Sequence, residues 1–116
     1  MKLVIDRKIW LRGEGSANSR LLRQSDEKLC CVGIFGRAID IPDDILKGQG
    51  SVRACSLSSR NQWPEWTTAS PEQPNKSHDI YALYNWNDLM GVNEKEREEK
   101  IIELFAKHDV QVEFIN

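Results

Sequence analysis

Apolar and polar positions are most regular near the end of the chain. The run Val110-Gln111-Val112-Glu113-Phe114-Ile115 alternates, which predicts a half-buried strand. Before it, Ile101, Leu104, Phe105 and His108 share one face of a helix predicted over 94–108, with Ile102 on the flank. Asn93 followed by Glu96 has the form of a capping box. Glu94, Glu96, Glu98 and Glu99 crowd the positive end of that helix, and Lys107 and His108 its negative end. His78 to Tyr84 reads as a strand and Asn85 to Asp88 as a turn. Strand, helix and strand over 79–115 then leave room for a right-handed parallel crossover.

The first half is less regular. Lys2-Leu3-Val4-Ile5 reads as a short strand, and Asp6 as the N-cap of a helical turn through Arg7–Leu11. Gly13 to Ser19 is loop. Arg20–Arg23 and Leu29–Cys31 read as two short strands around the polar turn 24–28. Ile34, Phe35, Ala38 and Ile39 recur at helical spacing, predicting a buried helix over Val32–Ile39. Gly33 and Gly36 weaken it by about 1 kcal/mol each unless a neighbour uses the space. Pro42, Asp43 and Asp44 open a short helix that Gly48 and Gly50 end. Ser51 to Leu57 reads as a short strand, and the polar, proline-bearing stretch 58–77 as a long surface loop. The expected fold class is α+β: a single domain over 1–116, with a short mixed sheet packed by two to three helices and a C-terminal strand–helix–strand.

Composition fits that outline. With 116 residues, 40% hydrophobic and 29% charged, the chain has the make-up of one globular domain. A net charge of −2, from 16 basic and 18 acidic side chains, argues against a dedicated duplex-DNA binder. The start Met-Lys-Leu-Val-Ile-Asp lacks the apolar core of a secretion signal, and no stretch approaches the ~20 apolar residues of a membrane helix. Three cysteines, two of them adjacent, suit a reducing, cytoplasmic setting better than a disulfide framework.

Candidate chemistry is sparse. Cys30 and Cys31 stand at a predicted helix start, where free N–H groups can lower a thiol pKa. With His78, and Asp79, Asn85, Asn87 or Asp88 to orient it, they follow the chain order of a papain-like hydrolase. The plainer reading makes them packing residues. Cys30, Cys31, Cys55 and His78 lack paired metal-ligand spacing, so no metal is expected. Gly13-Glu14-Gly15-Ser16 is not followed by Gly-Lys, so it is no phosphate loop, and no motif calls for a cofactor. Arg7, Lys8, Arg12, Arg20 and Arg23, with Trp10 nearby, offer an alternative: a basic, aromatic patch for RNA or single-stranded DNA. The net charge favours an ordinary solvated face instead. Trp63, Trp66 and Trp86 lie in predicted loop or turn, where they either anchor a partner or fold back over the core.

Two stretches carry a resemblance. Trp10-Leu11-Arg12-Gly13-Glu14-Gly15, Leu21-Leu22 and Leu29-Cys30-Cys31-Val32-Gly33-Ile34-Phe35 form the first. Asn87-Asp88, Glu96-Arg97-Glu98, Ile101–Phe105 and Val110–Phe114 form the second. Together they resemble a group of small uncharacterised proteins of phages and bacterial genomes. The resemblance implies no activity and no cofactor. It implies an accessory protein that binds host machinery. The leading expectation is therefore an interaction module for an unidentified host protein, with Trp63, Trp66 and Trp86 as contacts.

Overall fold

The alternating strand near the end finds its partner among the first residues. In the computed structural model, which describes residues 1–70, 72 and 78–116, β1 (Lys2–Asp6) and β2 (Gln111–Ile115) pair in parallel. Lys2 lies opposite Gln111 and Asp6 opposite Ile115. Leu3 and Ile5 point into the core, while Val112 and Phe114 are half-buried on the same side. The helices are α1 (Cys31–Ala38), α2 (Asp43–Leu46), α3 (Asp79–Asp88) and α4 (Glu94–Ala106). Short 3-10 turns span Val52–Ala54, Leu57–Gln62 and Glu65–Thr67.

The fold is a small α+β domain with one core. α4 packs on β2 and on α3, while α1 packs on α3 and β1. Phe35 of α1 and Phe105 of α4 meet at 5.5 Å between ring centres. The Cα radius of gyration is 13.1 Å, as expected for a single domain of this length. The capping signals act as anticipated in α4, where Asn93 Oδ1 accepts from the Lys95 and Glu96 amides at 2.9 and 3.2 Å. The α1 glycines are filled by neighbours. A Cβ at Gly33 would overlap the Leu21 carbonyl, and one at Gly36 the Trp63 ring.

Several expectations need correction. Residues 79–88 form a helix, not a strand and turn. Ile80, Leu83 and Asn87 are its buried positions, at helical spacing, and Asp79 suits its positive end. The C-terminal unit is thus helix–helix–strand, the parallel partner of β2 is β1, and the expected mixed sheet is a two-stranded parallel one. Arg7–Ile9 form a turn rather than a helix, because Asp6 Oδ1 takes the Lys8 amide at 2.9 Å and Trp10 leaves to bridge Leu29. The two short strands at 20–31 reduce to isolated bridges, Trp10 with Leu29 and Leu22 with Lys47, around a turn that Arg23 and Lys28 close. Ser51 to Leu57 is not a strand: Val52–Ala54 form a 3-10 turn and Leu57 opens the next. The expected surface loop is packed through residue 70, with Ser59, Trp63, Thr67 and Ala69 buried; 71 and 73–77 lie outside the described residues.

Candidate interaction surface

The last carbonyls of a helix have no partner within it and need one from outside. At the end of α3 that role falls to Arg97 of α4, whose side chain is 2% exposed. Its Nη1 donates to the Trp86 and Asn87 carbonyls at 2.5 and 2.9 Å, and its Nη2 to the Leu89 carbonyl at 2.7 Å. Glu94 pairs with its Nε at 2.8 Å. The amides of Gly13 and Gly15 donate to the Asn87 and Asp88 carbonyls at 2.8 and 2.9 Å. Gly15 has a φ of +83°, which favours glycine.

Asn87 locks the same end from within. Its Oδ1 accepts from Trp10 Nε1 at 2.8 Å and from the Cys31 amide at 3.0 Å. Its Nδ2 donates to the Leu11 carbonyl and to Asp88 Oδ1, both at 3.0 Å. One buried amide therefore ties α3 to α1 and to the 10–11 segment. In this buried network both the oxygen and the nitrogen of the Asn87 amide are matched.

What that rigid end carries outward is apolar. Leu89 is 50% exposed and Met90 67%. Trp86 stands half-buried beside them, with Lys100 Nζ 5.9 Å from its ring centre. These three, with Gly15, Ser16, Asn85 and Asp88, line a surface cleft of about 460 Å³. The wall is apolar and the rim carries the Asp88 carboxylate. Contiguous exposed apolar surface is one of the marks of a contact site, which makes this cleft the candidate.

The residues singled out from sequence divide. Cys30 is the N-cap of α1, its Sγ accepting from the Gly33 amide at 3.4 Å, as a thiol at a helix start should. Burial outweighs that contact and pushes the Cys30 thiol up to about 12, and Cys31 well above its ordinary value. Both are sealed in the core, and Cys55 is buried too. His78 stands exposed at the start of α3, edge-on to Tyr81. Cys31 meets α3 at Asn87, two and a half turns away, or about 13 Å along the axis. The structure does not bring a thiolate and an imidazole together. Among the described residues no group of three His, Cys, Asp or Glu side chains is placed to hold a metal.

The basic residues are spent locally. Arg7 forks onto Glu98 at 2.8 and 2.7 Å, and Arg23 bridges Glu14 and Asp26 at 3.0 and 2.6 Å. Arg12 lies 4.4 Å over the Trp10 ring with Glu94 at 3.6 Å, and Arg20 donates to the Ala17 and Ser19 carbonyls. Lys8 is exposed. Of the aromatics, Trp63 is only 4% exposed, so its ring is core rather than loop anchor. Trp66 folds back, stacking on His108 at 4.0 Å while Asp79 Oδ2 holds that imidazole at 2.8 Å. Trp86 alone lines the cleft with Leu89 and Met90, two contacts that sequence reading passed over; adjacent large apolar residues in a turn were the available signal.

A small α+β domain with an apolar cleft at a capped helix end is the class these features define. No family model, no curated protein and no solved structure matches the chain. Among the described residues no helix is long and apolar enough to cross a membrane.

Proposed function

We propose that this chain is an intracellular protein-interaction module, a phage-type accessory factor that binds and modulates a host protein, and that it docks through the Trp86–Leu89–Met90 cleft. The observation that carries the reading is the exposure of two consecutive large apolar side chains, 50% and 67%, on a helix end held rigid from three sides. Rigidity matters because a preformed surface loses little entropy on binding. The partner class rests on the resemblance read from the sequence alone. The cleft chemistry narrows it: an apolar wall beside Asp88 suits a segment that presents an aliphatic or aromatic side chain next to a Lys or Arg.

The test places a photo-cross-linking amino acid at position 90 of the full chain, with position 44 as control, in host cells. A discrete adduct from position 90 is expected, and Leu89→Glu should remove it. With the purified partner, Leu89→Glu should weaken binding by about tenfold to a hundredfold, the worth of one buried leucine. Adducts from position 44 alone, or an affinity that Leu89→Glu leaves unchanged, would refute the cleft as the contact.

A further inference from the structure

A second corner of the molecule holds an imbalance of a different kind. In a 3-10 helix, side chains three apart stand one above the other. At the end of the Leu57–Gln62 turn this aligns Arg60 with Trp63, whose amide donates to the Arg60 carbonyl at 3.2 Å. Arg60 Nη2 donates to the Arg53 carbonyl at 2.6 Å, and Arg53 Nη1 to the Thr68 carbonyl at 3.3 Å. Two hydrogens are left over. Arg60 Nε and Trp63 Nε1 are both buried and, among the described residues, neither has a hydrogen-bond partner. Folded interiors contain few such groups, and each has a physical reason. Against these residues lies a cavity of about 360 Å³, lined by Arg60, Asn61, Trp63, Glu65 and Thr68.

We infer that this cavity is a binding site for a small oxyanion, a carboxylate or a phosphate, whose oxygens accept from Trp63 Nε1 and Arg60 Nε. Both missing partners are acceptors, since an indole N–H and a guanidinium N–H can only donate. In the lining the Arg60 guanidinium offsets one carboxylate, Glu65, and Arg53 adds a second guanidinium beyond it, its Nη1 on the carbonyl of the lining residue Thr68. A guanidinium edge also fits planar or tetrahedral oxyanions better than a point cation does. Among the described residues a single hydrogen bond, to Arg53, tethers the Arg60 side chain, so a small rotation opens its Nε to a ligand. The site shares no lining residue with the Trp86 cleft, so each stands or falls alone.

Nitrogen-15 correlation spectra of the full chain test this directly. Four tryptophans give four indole N–H peaks, assigned by replacing each with Phe in turn. Sodium acetate and sodium phosphate are titrated separately, with sodium chloride at matched ionic strength as control. The Trp63 peak should move saturably with acetate, with phosphate or with both, and which of them moves it identifies the oxyanion. The Trp10 peak, already bonded to Asn87, should stay. R60Q should weaken binding tenfold or more while the other three peaks keep their places, and R60K, which keeps the charge without the fork, should fall between. A Trp63 peak that neither anion moves, that chloride moves equally, or that binds as tightly in R60Q overturns the site.

Discussion

Replacing Asn87 by leucine keeps the branched outline of the side chain, adds bulk at a buried site and removes all four hydrogen bonds it makes. Three buried groups then lose a partner: the Trp10 indole N–H, the Cys31 amide and the Leu11 carbonyl. Each orphaned group costs about 1–3 kcal/mol, so together roughly 3–9. Burying a leucine returns about 1.5–3 kcal/mol. The net loss is centred near about 4 kcal/mol, with extremes of about 0 and 8 before the added bulk costs anything further, against a total stability for such a domain of about 5–15. Urea unfolding followed by far-UV circular dichroism at neutral pH reads this as a midpoint lowered by about 1–3 M at constant slope. W10F is the companion: it removes one donor and leaves Asn87 Oδ1 bonded to the Cys31 amide. The double variant should lose less than the sum of the singles by about 1 kcal/mol, because one bond is shared. A loss below about 1 kcal/mol for N87L, or strict additivity in the cycle, would show that the amide does not organise the end of α3.

Other outcomes follow from the same geometry. In the native protein at pH 8, Cys30 and Cys31 should resist iodoacetamide while the unfolded chain reacts at all three thiols, as mass spectrometry would show; rapid native labelling of either buried thiol would contradict the upward shift that burial imposes. G33A should cost about 2–3 kcal/mol because its methyl would overlap the Leu21 carbonyl, whereas G50A, with nothing within 4 Å of the new atom, should stay within about 0.5 kcal/mol in the same urea assay. Hydrogen bonds from Arg23 hold the Asp26 carboxyl at about 2, down from 3.8. The folded state therefore takes up that proton less readily than the unfolded chain, so the pair's contribution is complete above pH 3.8 and is lost as the pH falls toward 2. D26N should accordingly show a shallower fall of Tm across that window than the parent, and parallel curves would refute the pairing.

Elements governed by local rules could be read from sequence, and those governed by distant contacts could not. α4 has a strong apolar stripe, a side-chain cap and dipole-matched charges, and it forms where those signals place it. α1 begins at the cysteine pair, and its glycines serve close approach. α3 misleads because Tyr81, Tyr84 and Trp86 favour strands, and because its third buried position is Asn87, a polar residue that conceals the stripe. The sheet was half visible: both strands could be found, but nothing local in Leu3 or Val112 says that they pair. The segment from 58 to 70 reads as surface from its polar composition, yet Trp63, Thr67 and Ala69 bury. The cleft was hidden for a related reason. Arg97 sits in an acidic run that reads as solvated, and its burial follows only once residues 79–88 are helical.

The pairing of β1 with β2 also sets a schedule for synthesis. A ribosome adds Gln111 only 109 residues after its partner Lys2. At roughly 5–20 residues per second, β1 waits on the order of ten seconds with its amides and carbonyls unmatched. Leu3 and Ile5, fully covered in the finished domain, stay open to whatever they meet during that interval. The nascent chain is thus exposed at β1 throughout that interval, and a chaperone that shields emerging apolar strands would improve its yield more than one acting after release.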